Sequence, residues 1–155
     1  MCGIAGYSGA FGPDLLTDMS AAIAHRGPDA DGAFLDMDAG IGLAHRRLAI
    51  VDLSSAGDQP MRDEAGLAVL VFNGEIYNFR ELRDELIADG YRFRGHSDTE
   101  VLLNLYLRDG PDMLQRLNGI FAFAIWDTRV QRLFLARDHL GVKPLYHTTT
   151  SRGFL

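Results

Sequence analysis

Cys2 is the only cysteine among 155 residues, and it follows Met1 directly. Removal of Met1 would leave a thiol and a free α-amino group on the same residue. An α-amine ionises at about pH 8 and a thiol at about 8.5, so the two are closely matched. Near neutral pH the amine can take a proton from the thiol, directly or through one water, which makes the residue its own nucleophile and base. A cysteine elsewhere in the chain would need a histidine brought to it by the fold. The competing reading of a lone cysteine is a small buried hydrophobe.

Other residues complete a chemistry for Cys2. In Asn73-Gly74-Glu75, a side-chain amide beside a glycine N–H can aim two neutral donors at one oxygen, as an oxyanion hole requires. The same Asn-Gly pair is also a common hairpin turn. Asp98 follows Ser97 at a helix start; there it can serve the helix dipole alone, or join Glu75 in holding an ammonium group. Arg46-Arg47 ends a strand-like run, and a guanidinium fork grips a carboxylate bidentately. One cation and two carboxylates suit a zwitterionic α-amino acid. A nucleophile and an oxyanion hole suit the amide on its side chain.

The elements that must position these residues come in blocks. Cys2–Tyr7 reads as an opening strand ended by Ser8-Gly9. Pro13 suits a first helical position, and Leu15, Leu16, Met19, Ala22 and Ile23 fall on one helical face. His25–Asp29 breaks that helix. Asp31–Asp36 and Ile41–His45 read as strands joined at Met37–Gly40, and Leu48–Asp52 continues in strand-like composition. After a loop at Ser54–Pro60, Leu67–Phe72 is a continuous apolar run, expected to be a buried strand. Asn78 with Glu81, and Ser97 with Glu100, each form a capping-box pattern ahead of an apolar stripe. Gly90 stops the first of these helices, and Gly110-Pro111 separates the second from a short helical piece with Met113, Leu114 and Leu117. Ile120–Asp127 and Leu133–Asp138 read as strands joined through Thr128–Arg132, and Leu145–His147 as the start of another. Strands at both ends with helices between them argue against a doubly wound parallel sheet. The expected fold class is α+β: two mainly antiparallel sheets packed face to face with helices outside.

Composition narrows the alternatives. The chain length suits one domain, 1–155. A net charge of −6 gives no support to nucleic-acid or anionic-membrane binding. No run approaches the ~20 apolar residues of a membrane span, and the start has no basic, apolar leader pattern. A single cysteine fits a reducing compartment. His25, Asp29, His45, His96, Asp138 and His139 show no metal-ligand spacing, so no metal is expected. Neither a P-loop nor a dinucleotide fingerprint occurs.

The stretches Met1–Gly6, His25–Asp29, His45–Asp52, Gln59–Met61, Phe72–Asn78, Ser97–Glu100, Gly119–Asp127 and Arg137–Tyr146 together resemble the N-terminal glutamine amidotransferase domain of glutamine-dependent asparagine synthetases. That is a class II, N-terminal nucleophile family. The resemblance implies a four-layer αββα sandwich. It implies Cys2 as the nucleophile on the glutamine amide, and Asn73 and Gly74 as the oxyanion hole. It implies Arg47 on the α-carboxylate, Glu75 and Asp98 on the α-ammonium, and the backbone of Leu48, Ala49, Ile50 and Val51 lining the pocket. No cofactor is implied for this domain. ATP and Mg would serve a following synthetase domain that activates aspartate and receives the ammonia. That domain is absent from these 155 residues, and Leu155 falls where the family's sheet continues, so a C-terminally truncated domain is expected. The implied setting is cytoplasmic, with glutamine as substrate and a homodimer as one assembly. Two alternatives stay open: an amidotransferase serving another acceptor, and a truncated, non-catalytic binding or assembly module.

Overall fold

The computed structural model describes residues 2–48 and 57–155. β1 (Gly3–Gly9) is followed by helix α1 (Pro13–Ala22), a 3-10 turn (Ala24–Arg26), β2 (Ala30–Asp36) and β3 (Ile41–Arg47). Then come a two-residue strand β4 (Met61–Arg62), β5 (Ala68–Ile76), α2 (Phe79–Ala88), α3 (Asp98–Asp109) and a 3-10 helix (Gly110–Arg116). β6 (Gly119–Asp127), β7 (Arg132–Arg137), β8 (Thr149–Thr150) and β9 (Gly153–Phe154) complete the described elements.

The strands form two antiparallel sheets, β2-β3-β1-β9-β8 and β4-β5-β6-β7. Side-chain alternation along each strand sorts the core into three layers. Val69 and Val71 of β5 and Ala124 and Trp126 of β6 meet Phe34, Ile41 and Leu43 of the other sheet. The opposite face of the same strands, with Leu70, Phe72, Phe121, Phe123 and Ile125, packs under α2 and α3 through Leu82, Leu86, Val101, Leu102 and Leu105. Beneath α1, Leu16 packs with Tyr7, Phe11 and Ala44. Helix, sheet, sheet, helix is the expected αββα order. The near-continuous apolar sequences of β5 and β6 follow from burial on both faces.

Local signals were realised to different degrees. Ser97 caps α3, its hydroxyl accepting from the Glu100 N–H at 3.3 Å. The Glu100 carboxylate, however, binds the Arg94 and Gly95 N–H groups, both at 2.9 Å, instead of closing the box. Asn78 makes no side-chain cap. Its amide donates to the Arg116 carbonyl at 2.9 Å and accepts from the Asn118 N–H at 3.0 Å, tying α2 to the start of β6. Asn73-Gly74 is not a hairpin turn: β5 runs through it, with Asn73 opposite Ala122 and Gly74 opposite Phe121. Leu145–His147 is not a strand either. The pairing falls later, Thr149 with Phe154 and Thr150 with Gly153. The strand-like stretch expected after Leu48 lies largely outside the described residues.

Candidate active site

The candidate site residues lie on two neighbouring strand ends, one in each sheet, and at the start of α3. Gly3 of β1 pairs with Arg46 of β3, which sets Cys2 beside the Arg47–Leu48 step. The Leu48 N–H donates to the Cys2 Sγ at 3.4 Å, and the thiol faces the Leu48 carbonyl at 3.7 Å. Cys2 is half-buried. Ile4 packs into the inter-sheet core, and strand alternation turns Cys2 to that same side. Arg47 follows Leu43 and His45 on the inward face of β3 and is buried. Its guanidinium holds the Asp58 carboxylate at 2.7 Å, so a carboxylate already occupies the kind of contact proposed for a substrate. Gly27 makes room for this strand end: a Cβ there would lie 2.5 Å from backbone atoms of Arg46 and Arg47.

Across the gap, Asn73 and Glu75 share the inward face of β5 with Val69 and Val71. Asn73 is buried and Glu75 exposed. The Gly74 N–H has a defined direction. Phe121, opposite Gly74, donates its N–H to Asp138 Oδ2 at 3.1 Å and accepts the Asp138 N–H at 2.7 Å, both on the β7 side. Gly74 and Phe121 are therefore a non-hydrogen-bonded pair, and the Gly74 N–H points away from β6. β4 has ended by then, since it reaches only Met61 opposite Leu70. Gly74 must be glycine, because a Cβ would run into the Ile120 carbonyl and Phe121.

Asp98 closes this side. It opens α3, is buried, and its Oδ2 accepts the Ile76 N–H at 3.0 Å. Burial raises its pKa above the usual carboxylate value, against the Ile76 and Thr99 N–H groups that lower it, while the nearby Glu75 charge adds to the rise. An ammonium ion placed between Glu75 and Asp98 would relieve both effects.

One hydrogen bond joins the two halves. His45 Nε2 lies 3.2 Å from the Phe72 carbonyl, so the residue two before Arg47 touches the residue before Asn73. Because a carbonyl only accepts, Nε2 carries the proton. Burial pushes the His45 pKa down to about 4, so the ring is neutral at physiological pH. The fold sets Cys2 against Leu48 beside Arg47 at the end of β3, and sets Asn73, Gly74 and Glu75 with Asp98 along β5, with the His45–Phe72 bond linking the two strands. Ala49, Ile50 and Val51 lie outside the described residues. From the sequence His45 is expected to hydrogen-bond at a strand end, as it does; Asp58 and Gln59 carry no individual role there. Their signal was a polar side chain next to buried apolar strands, which does not tell a site from a satisfied core. Among the described residues no cluster of His, Cys, Asp and Glu is arranged to hold a metal ion, and no helix is long and apolar enough to cross a membrane.

Residues 1–155 match the glutamine amidotransferase domain family along their whole length. The chain belongs to this family. As an amidotransferase domain it is 48% identical over 136 residues to asparagine synthetase [glutamine-hydrolyzing] 1 of Bacillus subtilis, covering 88% of this chain and 21% of that protein. It is 46% identical to asparagine synthetase B [glutamine-hydrolyzing] of Escherichia coli, covering 89% and 24%. It is also 45% identical to amidase chry2 of Gibberella zeae, covering 86% and 20%. The domain therefore spans about a fifth to a quarter of the length of these relatives. The solved glutamine phosphoribosylpyrophosphate amidotransferase from B. subtilis, complexed with ADP and GMP, superposes with a TM-score of 0.80 at 22% identity, covering 99% of this chain and 41% of that one. That likeness supports the two-sheet fold.

Proposed function

We propose that this amidotransferase domain hydrolyses the side-chain amide of glutamine at Cys2. The observation that carries the reading is the Gly74 N–H, which points away from β6 beyond the reach of β4, next to Asn73 on the strand whose Phe72 carbonyl meets His45 of the Arg47 strand. In this reading Arg47 takes the α-carboxylate, and Glu75 and Asp98 take the α-ammonium, which fixes the amide carbon over Cys2. With Met1 removed, the Cys2 α-amine accepts the thiol proton as sulfur attacks the carbonyl carbon. The developing oxyanion receives hydrogen bonds from the Asn73 amide and the Gly74 N–H. Collapse expels ammonia, which leaves with the proton held by the amine. A γ-glutamyl thioester remains on Cys2. Water, deprotonated by the same amine, cleaves it to glutamate and restores the thiol.

No cofactor enters these steps. In a longer protein the ammonia would pass to a following ATP- and Mg-dependent domain that makes asparagine from aspartate. A reducing, cytoplasmic setting suits the free thiol. A second reading, with a different ammonia acceptor, is favoured by the comparable likeness to the Gibberella zeae amidase. The coding sequence downstream of Leu155 would decide between the two acceptors.

Intact-mass analysis should show loss of Met1 and a single adduct at Cys2 after treatment with a glutamine-like electrophile. Glutamate release should vanish in Cys2→Ala. A folded, processed protein that forms no adduct, or equal glutamate release by the two proteins, would overturn the assignment in favour of a non-catalytic binding module.

A further inference from the structure

We propose that His45 and Gln59 form a clasp on the Phe72 peptide that sets the position of the Asn73–Gly74 oxyanion donors, a role that rests on the glutaminase reading above. Phe72 lies opposite Phe123, two residues from the non-hydrogen-bonded Gly74–Phe121 pair, so it too turns its N–H and C=O away from β6. A neighbouring strand would normally take those groups, but β4 stops at Met61. Side chains take its place. Gln59 Oε1 accepts the Phe72 N–H at 2.6 Å, and His45 Nε2–H donates to the Phe72 carbonyl at 3.2 Å. His45 is fully buried and Gln59 is 8% exposed, so neither bond competes with bulk water, and an unmade partner would be costly.

The clasp reaches further than Phe72. The Gln59 amide donates to Thr99 Oγ1 at 3.4 Å, the residue after Asp98. Asp98 in turn holds the Ile76 N–H at 3.0 Å. Along this edge of β5 the N–H groups of Phe72, Gly74 and Ile76 point the same way. The outer two are captured by side chains, and the Gly74 N–H between them is left for a ligand. A paired backbone strand would have consumed all three. His45 comes from the sheet that carries Cys2 and Arg47, so its bond also fixes the distance between nucleophile and oxyanion donors. His45 and Gln59 are positioning residues. They act through the strand.

The test combines exchange and kinetics on the full chain. In the wild type, amide hydrogen exchange should be slow at Phe72 and Ile76 and at least tenfold faster at Gly74. Equal protection at all three would overturn the clasp. Gln59→Leu should speed Phe72 exchange at least tenfold. It should also lower kcat for glutamine hydrolysis about 10- to 100-fold with KM changed less than about twofold, because misplacement of roughly an ångström is costly to the transition state. Gln59→Glu, which keeps an acceptor oxygen, should recover most of the loss, and His45→Gln should outperform His45→Leu for the matching reason. Wild-type kcat in a folded Gln59→Leu protein, or equal losses in the leucine and the conservative variants, would refute the role. Should the leucine variants fail to fold, the wild-type exchange pattern still decides. A wild type that releases no glutamate yet shows the three-site pattern would refute the glutaminase reading alone. A wild type that is active with uniform exchange would refute the clasp alone.

Discussion

Substitutions at Cys2, Asn73 and Asp98 test separately the nucleophile, oxyanion donor and ammonium partner proposed above. Cys2→Ser should lose nearly all glutamine turnover, because a hydroxyl is a far weaker nucleophile near neutral pH. Asn73→Ala should lower kcat about 10²–10³-fold, the usual cost of one oxyanion donor. Asp98→Asn should mainly raise the glutamine KM, by about tenfold, as one partner of the ammonium is lost. The amide oxygen can still accept the Ile76 N–H that Asp98 holds at 3.0 Å, so the thermal midpoint should stay near that of the wild type. An unchanged KM in Asp98→Asn would mean that the ammonium is bound elsewhere. All three are read from steady-state glutamate release.

At the scale of elements, β5 decides the site. Read along the chain, Asn73-Gly74 fits a turn as well as a site, because local composition carries no information on which strand lies opposite. The pairing with β6 removes the ambiguity: it holds Gly74 flat against Phe121, with no space for a Cβ. Gly74→Ala should therefore cost about 1–3 kcal/mol through overpacking, seen as a lower denaturation midpoint, and should lower kcat by pushing the Gly74 N–H off its line. A Gly74→Ala protein with wild-type stability and kcat would show that β5 and β6 are less tightly joined than described. The α3 cap was legible in advance because Ser97 acts within one turn. Asn78 and Glu81 satisfy the same local pattern, but Asn118, 40 residues away, claims the Asn78 side chain.

For the molecule as a whole, two buried groups, His45 and Asp138, contribute to the acid limb of stability at different pH. His45 has its pKa lowered from 6.5 to about 4, chiefly by burial. As pH falls from about 6.5 to 4, the unfolded chain gains a proton that the folded ring refuses, and about 3 kcal/mol is lost. Asp138 behaves differently. Burial would raise it, but N–H bonds from Lys143, Val142, Phe121 and Leu140 outweigh that and hold it at about 2. Its contribution of about 2 kcal/mol is present above the unfolded value near 3.8 and is lost as pH falls toward 2. Denaturant titrations from pH 8 to 2 should thus show two successive losses. His45→Gln should flatten the upper one and Asp138→Asn the lower. A single loss confined below pH 4 would contradict the burial of His45.

Sequence alone fixed the identities that permit the chemistry: a thiol on the residue next to Met1, an amide beside a glycine, and one cation with two carboxylates. It also determined the layer order, because apolar periodicity and buried runs dictate which faces must be covered. The tertiary structure decided the rest. Whether the Gly74 N–H is spent in a ladder or offered to a ligand depends on where β4 ends and on which groups Phe121 gives to Asp138. Those are contacts between residues far apart in the chain, and no local pattern encodes them.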